Sequence, residues 1–226
     1  GAPLVPLGDE LLFGLYSGCL NLGGIANISY VLNYKNVAFD ICPVNILLNA
    51  YTLKIGKSYD NGGRIAKSGK LIPALIKELN KQNYYSQAAP KSLGREWVDA
   101  QVFPIIERYA THTIEDILNT LVIHSAQQIA TSLSALPIKN GKRQLLITGG
   151  GAFNTFLIES ITSFTEKNIE LVLPDVDTIQ FKEAIIFGFL GLLRMHNLPN
   201  AKSTVTGASC DTVGGAIYGN FNDFFS

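Results

Sequence analysis

The first part of the chain shows short apolar runs divided by turn residues, a pattern typical of consecutive β-strands. Residues 19–22, 26–32 and 36–39 are rich in apolar and β-branched side chains. Gly23-Gly24 separates the first two runs, and residues 33–36 separate the second from the third. Because such short turns join neighbouring strands that run in opposite directions, the pattern predicts a three-strand antiparallel meander.

The next stretch changes to helical spacing. A helix is predicted over 45–54, and two further helices over 68–79 and 94–109. Thr113 is a candidate N-cap with Asp116 three residues further on, which is the layout of a capping box. The long helix that follows is expected to place these apolar residues on one face: Ile114, Leu118, Leu121, Ile129 and Leu136.

Two strand–helix pairs complete the predicted order. Residues 144–148 form a strand before a glycine turn, and a helix is expected over about 154–164. A short strand over 170–173 leads to a last helix, which Asp177 or Thr178 is expected to cap. A meander followed by alternating helices and strands is an α/β order with a mixed sheet. It matches one lobe of the ribonuclease H-like fold found in actin-like ATPases.

Composition and charge argue against several kinds of partner. The 226 residues are 47% hydrophobic and only 16% charged, with 18 basic and 18 acidic side chains. A net charge near zero argues against binding nucleic acid or an anionic membrane through bulk electrostatics. The longest apolar run, 184–193, is too short to cross a bilayer. The low charged fraction suggests that another domain or subunit covers part of the surface.

Cysteine usage and the N-terminal sequence bear on location and domain organisation. The cysteines are odd in number and lack the spacing of metal ligands: Cys19, Cys42 and Cys210. A reduced, cytoplasmic protein without a metal site of its own is the simplest interpretation. The first residues have neither a basic region nor a start methionine, so the chain is expected to begin partway through a longer protein. We therefore expect a connecting segment over 1–18 and a single lobe over 19–226, with a helical insertion over about 55–112.

The turn Gly149-Gly150-Gly151, between a strand and a helix, is the first candidate binding site. Glycines at such a turn let a ligand approach the backbone, and the following helix presents N–H groups and a partial positive charge. A nucleotide fits these properties, and a tight connection without a ligand is the alternative. A Rossmann-type dinucleotide enzyme with Asp175 on the ribose is a weaker alternative, because Asn154 replaces the last glycine of that fingerprint.

Polar residues near the first three strands form a second group of candidates. Gly23 and Gly24, with Asn27 close by, suit a turn whose amides face phosphate oxygens, although an ordinary glycine hairpin is also possible. Asp40 follows an apolar strand, a position typical of a general base or a magnesium contact, or else it caps the next helix. Glu183 is predicted in the first turn of the last helix, where the helix dipole alone would explain it.

Seven segments together form a pattern that is far more specific than any one of them. They are Gly1–Pro6, Leu20–Asn27, Phe39-Asp40, Tyr59-Asp60, Pro90–Glu96, Gly149–Asn154 and Val205–Ala208. In this order they resemble the anhydro-N-acetylmuramic acid kinases, bacterial enzymes of cell-wall recycling. The resemblance extends from Gly1 to about Tyr218.

The resemblance implies an unusual kinase reaction. Water opens the 1,6-anhydro bridge of the sugar while ATP phosphorylates the freed O6, which gives N-acetylmuramate 6-phosphate and ADP. Asp40 would be the general base that deprotonates this water, and Glu183 would contact the muramic acid. Mg²⁺ is expected to accompany ATP. The remaining implied contacts are Gly23, Gly24 and Asn27 for the phosphates, and Gly149, Gly150, Gly151 and Asn154 for the adenosine side.

The chain also departs from the pattern of the family it resembles. Cys42 and Val44 replace two family glycines, and side chains there are expected to restrict the approach of phosphate or sugar. The resemblance further implies an N-terminal lobe that this chain lacks, and a tendency to form homodimers. We therefore expect the chain alone to fold without phosphorylating the sugar, and a catalytically idle nucleotide-binding homologue is an alternative.

Overall fold

One mixed sheet forms the centre of the molecule. The computed structural model describes residues 4–218, so the motif residues Gly1–Pro3 and the last eight residues of the chain lie outside it. Within the described residues the strands are β1 (Gly18–Leu22), β2 (Ile25–Leu32), β3 (Lys35–Pro43), β4 (Arg143–Thr148) and β5 (Ile169–Val172). Their spatial order is β3-β2-β1-β4-β5. The first three strands are antiparallel, and β4 runs parallel to both β1 and β5, which confirms the predicted meander and mixed sheet.

Helices lie on both faces of this sheet. They are α1 (Val5–Leu12), α2 (Asn45–Leu53), α3 (Arg64–Ser68), α4 (Pro73–Leu79), α5 (Arg95–Trp97), α6 (Phe103–Glu107), α7 (Ile114–Ser132), α8 (Thr155–Phe164), α9 (Val176–Met195) and α10 (Ser203–Thr206). Single 3₁₀ turns span Asn61–Gly63, Asn83–Ser86, Leu133–Ala135 and Gly150–Phe153, and a π-helical turn spans Val98–Val102.

The region between α2 and α7 agrees only in part with the two helices predicted there. Gly69 adopts an extended conformation that ends α3, and a proline in the first turn starts α4. By contrast, α5, the π-helical turn and α6 follow one another without a gap from Arg95 to Glu107. The helix expected over 68–79 is therefore shortened to Pro73–Leu79, whereas the one expected over 94–109 is confirmed as a helical run with a π-helical turn in its middle.

Two predicted helix caps can be compared with the observed ones. Thr113 caps α7 as expected, because its hydroxyl accepts the N–H of Asp116 at 3.2 Å. The Asp116 carboxylate instead accepts the N–H of Lys70 at 2.7 Å, so no reciprocal capping box is formed. The cap of α9 was predicted wrongly: Asp175 accepts the N–H of Thr178 at 2.9 Å and also receives its hydroxyl.

The main hydrophobic core lies between one face of the sheet and the helices α2, α7 and α8. Alternate strand residues such as Leu20, Leu22 and Ile147 point into this core and are fully buried. The predicted apolar face of α7 contributes Leu118, Leu121 and Ile129, whereas Leu136 lies beyond the end of the helix but is also buried. Burial of this kind supplies most of the stability of an α/β domain.

The opposite face of the sheet is only partly covered, by α1 and α9. These two helices contact each other through Leu7, Ile186 and Leu190. At Gly8 of α1 an added Cβ would lie 2.7 Å from the Ile186 side chain, so glycine there permits the close approach. Between this helix pair and the segment around Lys91, the sheet remains open to a cleft.

Candidate active site

A cleft of about 480 Å³ lies on the partly covered face of the sheet, a size typical of small-molecule sites. Cleft-facing residues come from four strands, from α1, α9 and α10, from the turn after β4 and from the segment 90–92. Five of the predicted site residues line it: Asn27, Asp40, Gly149, Gly150 and Glu183. The other four predicted residues, Gly23, Gly24, Gly151 and Asn154, are not among its lining residues.

A β-bulge in β3 determines which side chains face the cleft. Asp40 pairs with Asn27 of β2, but the next pair joins Cys42 to Ala26, so Ile41 has no partner on β2. Paired residues of antiparallel strands point to the same face, so Asp40 shares the cleft face with Asn27, whereas Cys42 shares the core face with Ala26. Simple alternation would have placed Asp40 and Cys42 on the same face.

This geometry corrects the expectation about the two family glycines. The side chains of Cys42 and Val44 are both fully buried in the main core. The Cys42 sulfur lies 3.8 Å from the carbonyl oxygen of Ser125 on α7, and burial raises the pKa of the thiol to about 12. Neither residue lines the cleft, so neither side chain restricts the approach of a ligand there.

Asp40 is held in place by the chain segment that carries the Pro90–Glu96 motif. Its carboxylate oxygen Oδ2 accepts the N–H of Leu93 at 2.9 Å, and its own N–H donates to the Lys91 carbonyl at 3.2 Å. The Tyr84 hydroxyl donates to the Asp40 carbonyl at 2.6 Å. Asp40 therefore lies within β3 and does not cap α2, which excludes the simpler explanation for this residue.

The surroundings of Asp40 also change its acidity. Partial burial raises the pKa of the carboxyl above its ordinary value, and the hydrogen bond from Leu93 opposes part of that rise. The second carboxylate oxygen, Oδ1, accepts no hydrogen bond from residues 4–218. A carboxylate with one oxygen held, the other available and a raised pKa is suited to general-base chemistry.

The three glycines of the turn after β4 are present for different reasons. Gly149 has φ +82°, and an added Cβ would lie 2.9 Å from the Leu22 carbonyl carbon. At Gly151 an added Cβ would lie 2.7 Å from Leu22 Cβ, so close packing on β1 requires both glycines. At Gly150 the nearest atom is Asn45 Nδ2 at 3.8 Å, which is ordinary contact. The fold thus leaves Gly150 without a packing role at the wall of the cleft.

The Gly23-Gly24 turn lies beside the glycine turn that follows β4, because both turns pack around the end of β1. The Gly24 carbonyl accepts the N–H of Val44 at 2.8 Å and that of Ile46 at 3.1 Å, which caps the start of α2 through the backbone. Neither glycine has a positive φ, and an added Cβ would meet no atom closer than 3.5 Å at Gly23 or 3.9 Å at Gly24. The hairpin geometry alone therefore does not require glycine at these two positions.

Asn154 has a structural role that sequence reasoning did not assign to it. Its side chain caps α8 by accepting the N–H of Leu157 at 3.0 Å, and it is buried against Gly63. Asp175 caps α9 in the same way. Since Asp175, the residue that kept the Rossmann-type alternative open, is a helix cap, and since half of the strand pairings are antiparallel, that alternative is not supported.

Glu183 lies further along its helix than predicted. Because α9 begins at Val176, Glu183 falls in the third turn, and the acidic residue of the first turn is Asp177. The field of a helix dipole is largely confined to the terminal turns, so it does not explain this glutamate. Glu183 instead lines the cleft.

Sequence reasoning missed a charged cluster where α1 and α9 meet the sheet. Asp9 and Lys182 have side chains that are only 9% and 5% exposed, and Lys182 Nζ lies 2.7 Å from Asp9 Oδ1. Ser29 of β2 donates a hydrogen bond to the other Asp9 oxygen, and all three residues line the cleft. The feature of the sequence that could have indicated this cluster is Lys182, because its charge interrupts the apolar stripe formed by Ile179 and Ile186 on α9.

Two features are absent from the part of the chain that the structure describes. Among residues 4–218 no group of three or more histidine, cysteine and acidic side chains is arranged to hold a metal ion. In the same part of the chain no helix has the length and apolar character needed to cross a membrane.

The topology of the sheet shows the fold class to which the chain belongs. The sheet order and flanking helices are those of one lobe of the ribonuclease H-like, actin-like ATPase fold. A solved structure with this fold is the activator of 2-hydroxyisocaproyl-CoA dehydratase from Clostridium difficile, described with bound ADPNP. It is 15% identical and superposes with a TM-score of 0.50 over 85% of this chain and 67% of that one. At this identity the likeness shows the fold alone.

The sequence then defines the family. The profile of the anhydro-N-acetylmuramic acid kinase family matches residues 1–220, so the chain belongs to that family. Proteins of that name from Francisella tularensis subsp. novicida and Hydrogenovibrio crunogenus are 35% and 33% identical to it. In both cases the match covers 96% of this chain and 60% of the relative. The chain therefore spans about 60% of the length of the curated relatives it matches.

Proposed function

We propose that this chain is the ATP-binding lobe of a kinase that hydrolyses and phosphorylates 1,6-anhydro-N-acetylmuramic acid. The observation that carries the proposal is the meeting of Asp40, Glu183 and Gly149-Gly150 in one cleft. These residues come from β3, α9 and the turn after β4, which are far apart in the sequence. Membership of the kinase family supplies the reaction that such a cleft would perform.

In this proposal Asp40 acts as the general base for the attacking water. Its Oδ1 takes a proton from water, the water oxygen bonds to C1 of the sugar, and the bond from C1 to O6 breaks. The released O6 then bonds to the γ-phosphorus of ATP, and ADP leaves with the electrons of the broken P–O bond. The hydrogen bond from Leu93 fixes the orientation of the carboxylate, and the raised pKa makes it a stronger base.

The nucleotide would lie along the two adjacent glycine turns. Gly150 lines the cleft without a packing role, and Gly23 and Gly24 are not required by the hairpin, which supports a close approach of phosphate and ribose to the backbone. Asn27 would lie beside the phosphates, and Gly149, Gly151 and Asn154 would shape the adenosine side. Glu183 would hydrogen-bond the hydroxyl groups of the muramic acid.

Mg²⁺ is proposed to arrive with the nucleotide and not as a resident ion. Mg²⁺ in phosphoryl-transfer sites is bound mainly by substrate phosphates and water, with one or two protein carboxylates. The cleft offers Asp40 and Glu183 for this purpose, which fits such an ion. When bound, it would neutralise charge on the phosphates during transfer.

Calorimetric titration of this chain with ATP and with the anhydro sugar tests the proposal. We expect ATP to bind, and the family reaction to require the further length that the relatives possess, so that the 226-residue chain alone shows no multiple turnover. Repeated turnover by this chain would contradict the second expectation. Binding of neither ligand would instead favour a catalytically idle homologue.

Substitution of the base gives a second test. In a preparation that turns over, Asp40→Asn should abolish turnover and leave the affinity for ATP close to that of the parent, because the amide keeps the shape but not the basicity. Asp60→Asn is not a suitable control, since Asp60 holds the N–H groups of Ile65 and Ala66. Glu159→Gln, which changes an exposed side chain of α8, is a better one. Unchanged activity of Asp40→Asn would remove Asp40 from the mechanism.

The proposal also includes a second lobe and a homodimer, together with a cytoplasmic location. Large apolar side chains are exposed along α9, which supports a surface that is covered in the whole protein: Val176, Phe181, Ile185, Phe187 and Leu192. A strictly monomeric species in light scattering, measured up to high protein concentration, would count against the homodimer.

A further inference from the structure

The cluster of Asp9, Ser29 and Lys182 has the features of a binding site for an anionic group. The Lys182 ammonium and the Asp9 carboxylate are almost completely buried, yet both residues line the cleft. A buried ion pair with an open side is an unusual arrangement, because burying charges is costly unless every donor and acceptor is satisfied.

The ammonium group of Lys182 is not satisfied by its ion pair. Its nitrogen lies 2.7 Å from Asp9 Oδ1, a contact that engages only one of its three N–H bonds. The Phe13 ring lies on another side, with its centre 5.6 Å from the nitrogen. Among residues 4–218 no carbonyl or hydroxyl oxygen accepts from Lys182. An ammonium group has three donors, so acceptors are expected from the contents of the cleft.

Asp9 holds this ammonium group from the side of the sheet. Its second oxygen accepts the Ser29 hydroxyl, and the Cys19 thiol lies beside the same carboxylate. Burial raises the pKa of that thiol to about 12, so Cys19 stays neutral and leaves the charge balance to Asp9 and Lys182. The position of the ammonium group is therefore fixed before any ligand binds, which lowers the entropic cost of binding.

The charges of the cleft indicate what kind of group the site would hold. Three carboxylates line it, those of Asp9, Asp40 and Glu183, so an anionic ligand needs a cation close to its own charge. Lys91 also lines the cleft, but its nitrogen donates to the Tyr84 carbonyl at 3.2 Å and lies 4.6 Å from the centre of the Tyr84 ring, beside Asp40. Lys182 directly precedes Glu183, the residue proposed to contact the sugar.

We infer that Lys182 binds the carboxylate of the lactyl group of the sugar and so selects muramic acid over glucosamine derivatives. Asp9 and Ser29 are positioning residues for this contact. The inference rests on the proposed function, because it assigns the acidic group of that substrate. Both sugars have the same bicyclic ring, and the lactyl ether with its carboxylate is the difference that a fixed ammonium group can recognise.

Calorimetric titration with two sugars tests the inference. We expect this chain to bind 1,6-anhydro-N-acetylmuramic acid at least about tenfold more tightly than 1,6-anhydro-N-acetylglucosamine, as for one charge-assisted hydrogen bond. Lys182→Met should remove that preference and leave the affinity for ATP unchanged. Lys67→Met changes an exposed lysine on α3 and should keep the preference.

A second variant distinguishes a loss of sugar recognition from a loss of folding. Because Lys182→Met leaves the buried Asp9 without its partner, the double variant Asp9→Asn/Lys182→Met removes both charges together. Its folding is checked by circular dichroism and thermal melting, and it should bind the two sugars equally. Retention of the preference in this folded variant would overturn the inference.

Two other outcomes would also contradict the inference that Lys182 binds the lactyl carboxylate. A loss of affinity for ATP with an unchanged preference between the sugars would assign Lys182 to a phosphate group of the nucleotide. Failure of the parent chain to bind either sugar, together with normal binding of ATP, would contradict the proposed substrate and the inference with it.

Discussion

The glycine turn after β4 allows a sharp comparison between two adjacent substitutions. Gly151→Ala places a methyl group 2.7 Å from Leu22 Cβ and 2.9 Å from the Leu22 carbonyl oxygen. Gly150→Ala places the same group 3.8 Å from its nearest neighbour and beside the cleft. The first change should therefore damage the fold, and the second should damage only ligand binding.

The magnitudes follow from these contacts. The overlap in Gly151→Ala requires β1 and the turn to move apart, which costs about 1–3 kcal/mol and lowers Tm by roughly 2–10 °C in a domain of this size. Gly150→Ala should leave stability unchanged or raise it by up to about 1 kcal/mol, because alanine reduces the freedom of the unfolded chain. In the cleft, the added methyl group should weaken ATP binding by about tenfold or more, which corresponds to about 1.4 kcal/mol.

Thermal melting and calorimetric titration with ATP measure the two effects separately. We expect a crossed result, with stability lost in Gly151→Ala and affinity for ATP lost in Gly150→Ala. Parent-like ATP binding by Gly150→Ala would refute the position given to the nucleotide. Parent-like stability of Gly151→Ala would refute the packing explanation for the third glycine.

Three further predictions concern buried and capping residues. His124 is completely buried and its pKa is lowered to about 3, so the unfolded chain takes up its proton first and stability falls as the pH drops below about 6.5. As the pH is lowered from about 7.5 to 5.5, the free energy of unfolding of His124→Phe should therefore rise by about 1.4 kcal/mol relative to that of the parent, unlike that of His112→Phe at an exposed position. Chemical unfolding measures this difference, and a parallel pH dependence of His124→Phe and the parent would contradict the explanation. Val44→Ala should cost roughly 2 kcal/mol without changing the affinity for ATP or sugar, and a changed affinity would place Val44 near the ligand. Asp175→Ala should lower the free energy of unfolding by about 1 kcal/mol, whereas Asp177→Ala should cost less, and equal effects would contradict the assigned cap.

Much of the fold was predictable because local signals determine it. The glycine pair at 23–24 and the turn at 33–36 specified the meander, and the apolar run ending at Thr148 specified β4. Thr113 marked the start of α7. In each case turn chemistry, capping or apolar spacing acts over a few neighbouring residues, so a single sequence contains the necessary information.

The candidate site was less predictable because its geometry depends on contacts between distant segments. The bulge at Ile41 exists only through pairing with β2, and Leu93 reaches Asp40 from a different part of the chain. The pairing of Asp9 with Lys182 has no local motif at all. Asp40, Glu183 and the glycine turn were identified as candidates from the sequence, but their common cleft required the tertiary structure.

The bulge in β3 gives neighbouring positions of the segment 40–45 two different environments. On one side, Asp40 faces the cleft and is constrained by the proposed chemistry. On the other, Cys42 and Val44 fill the core. Substitutions at positions 42 and 44 therefore alter interior volume and leave the lining of the cleft unchanged. Sequence differences within this short segment thus have separate consequences, for packing at positions 42 and 44 and for the proposed chemistry at Asp40.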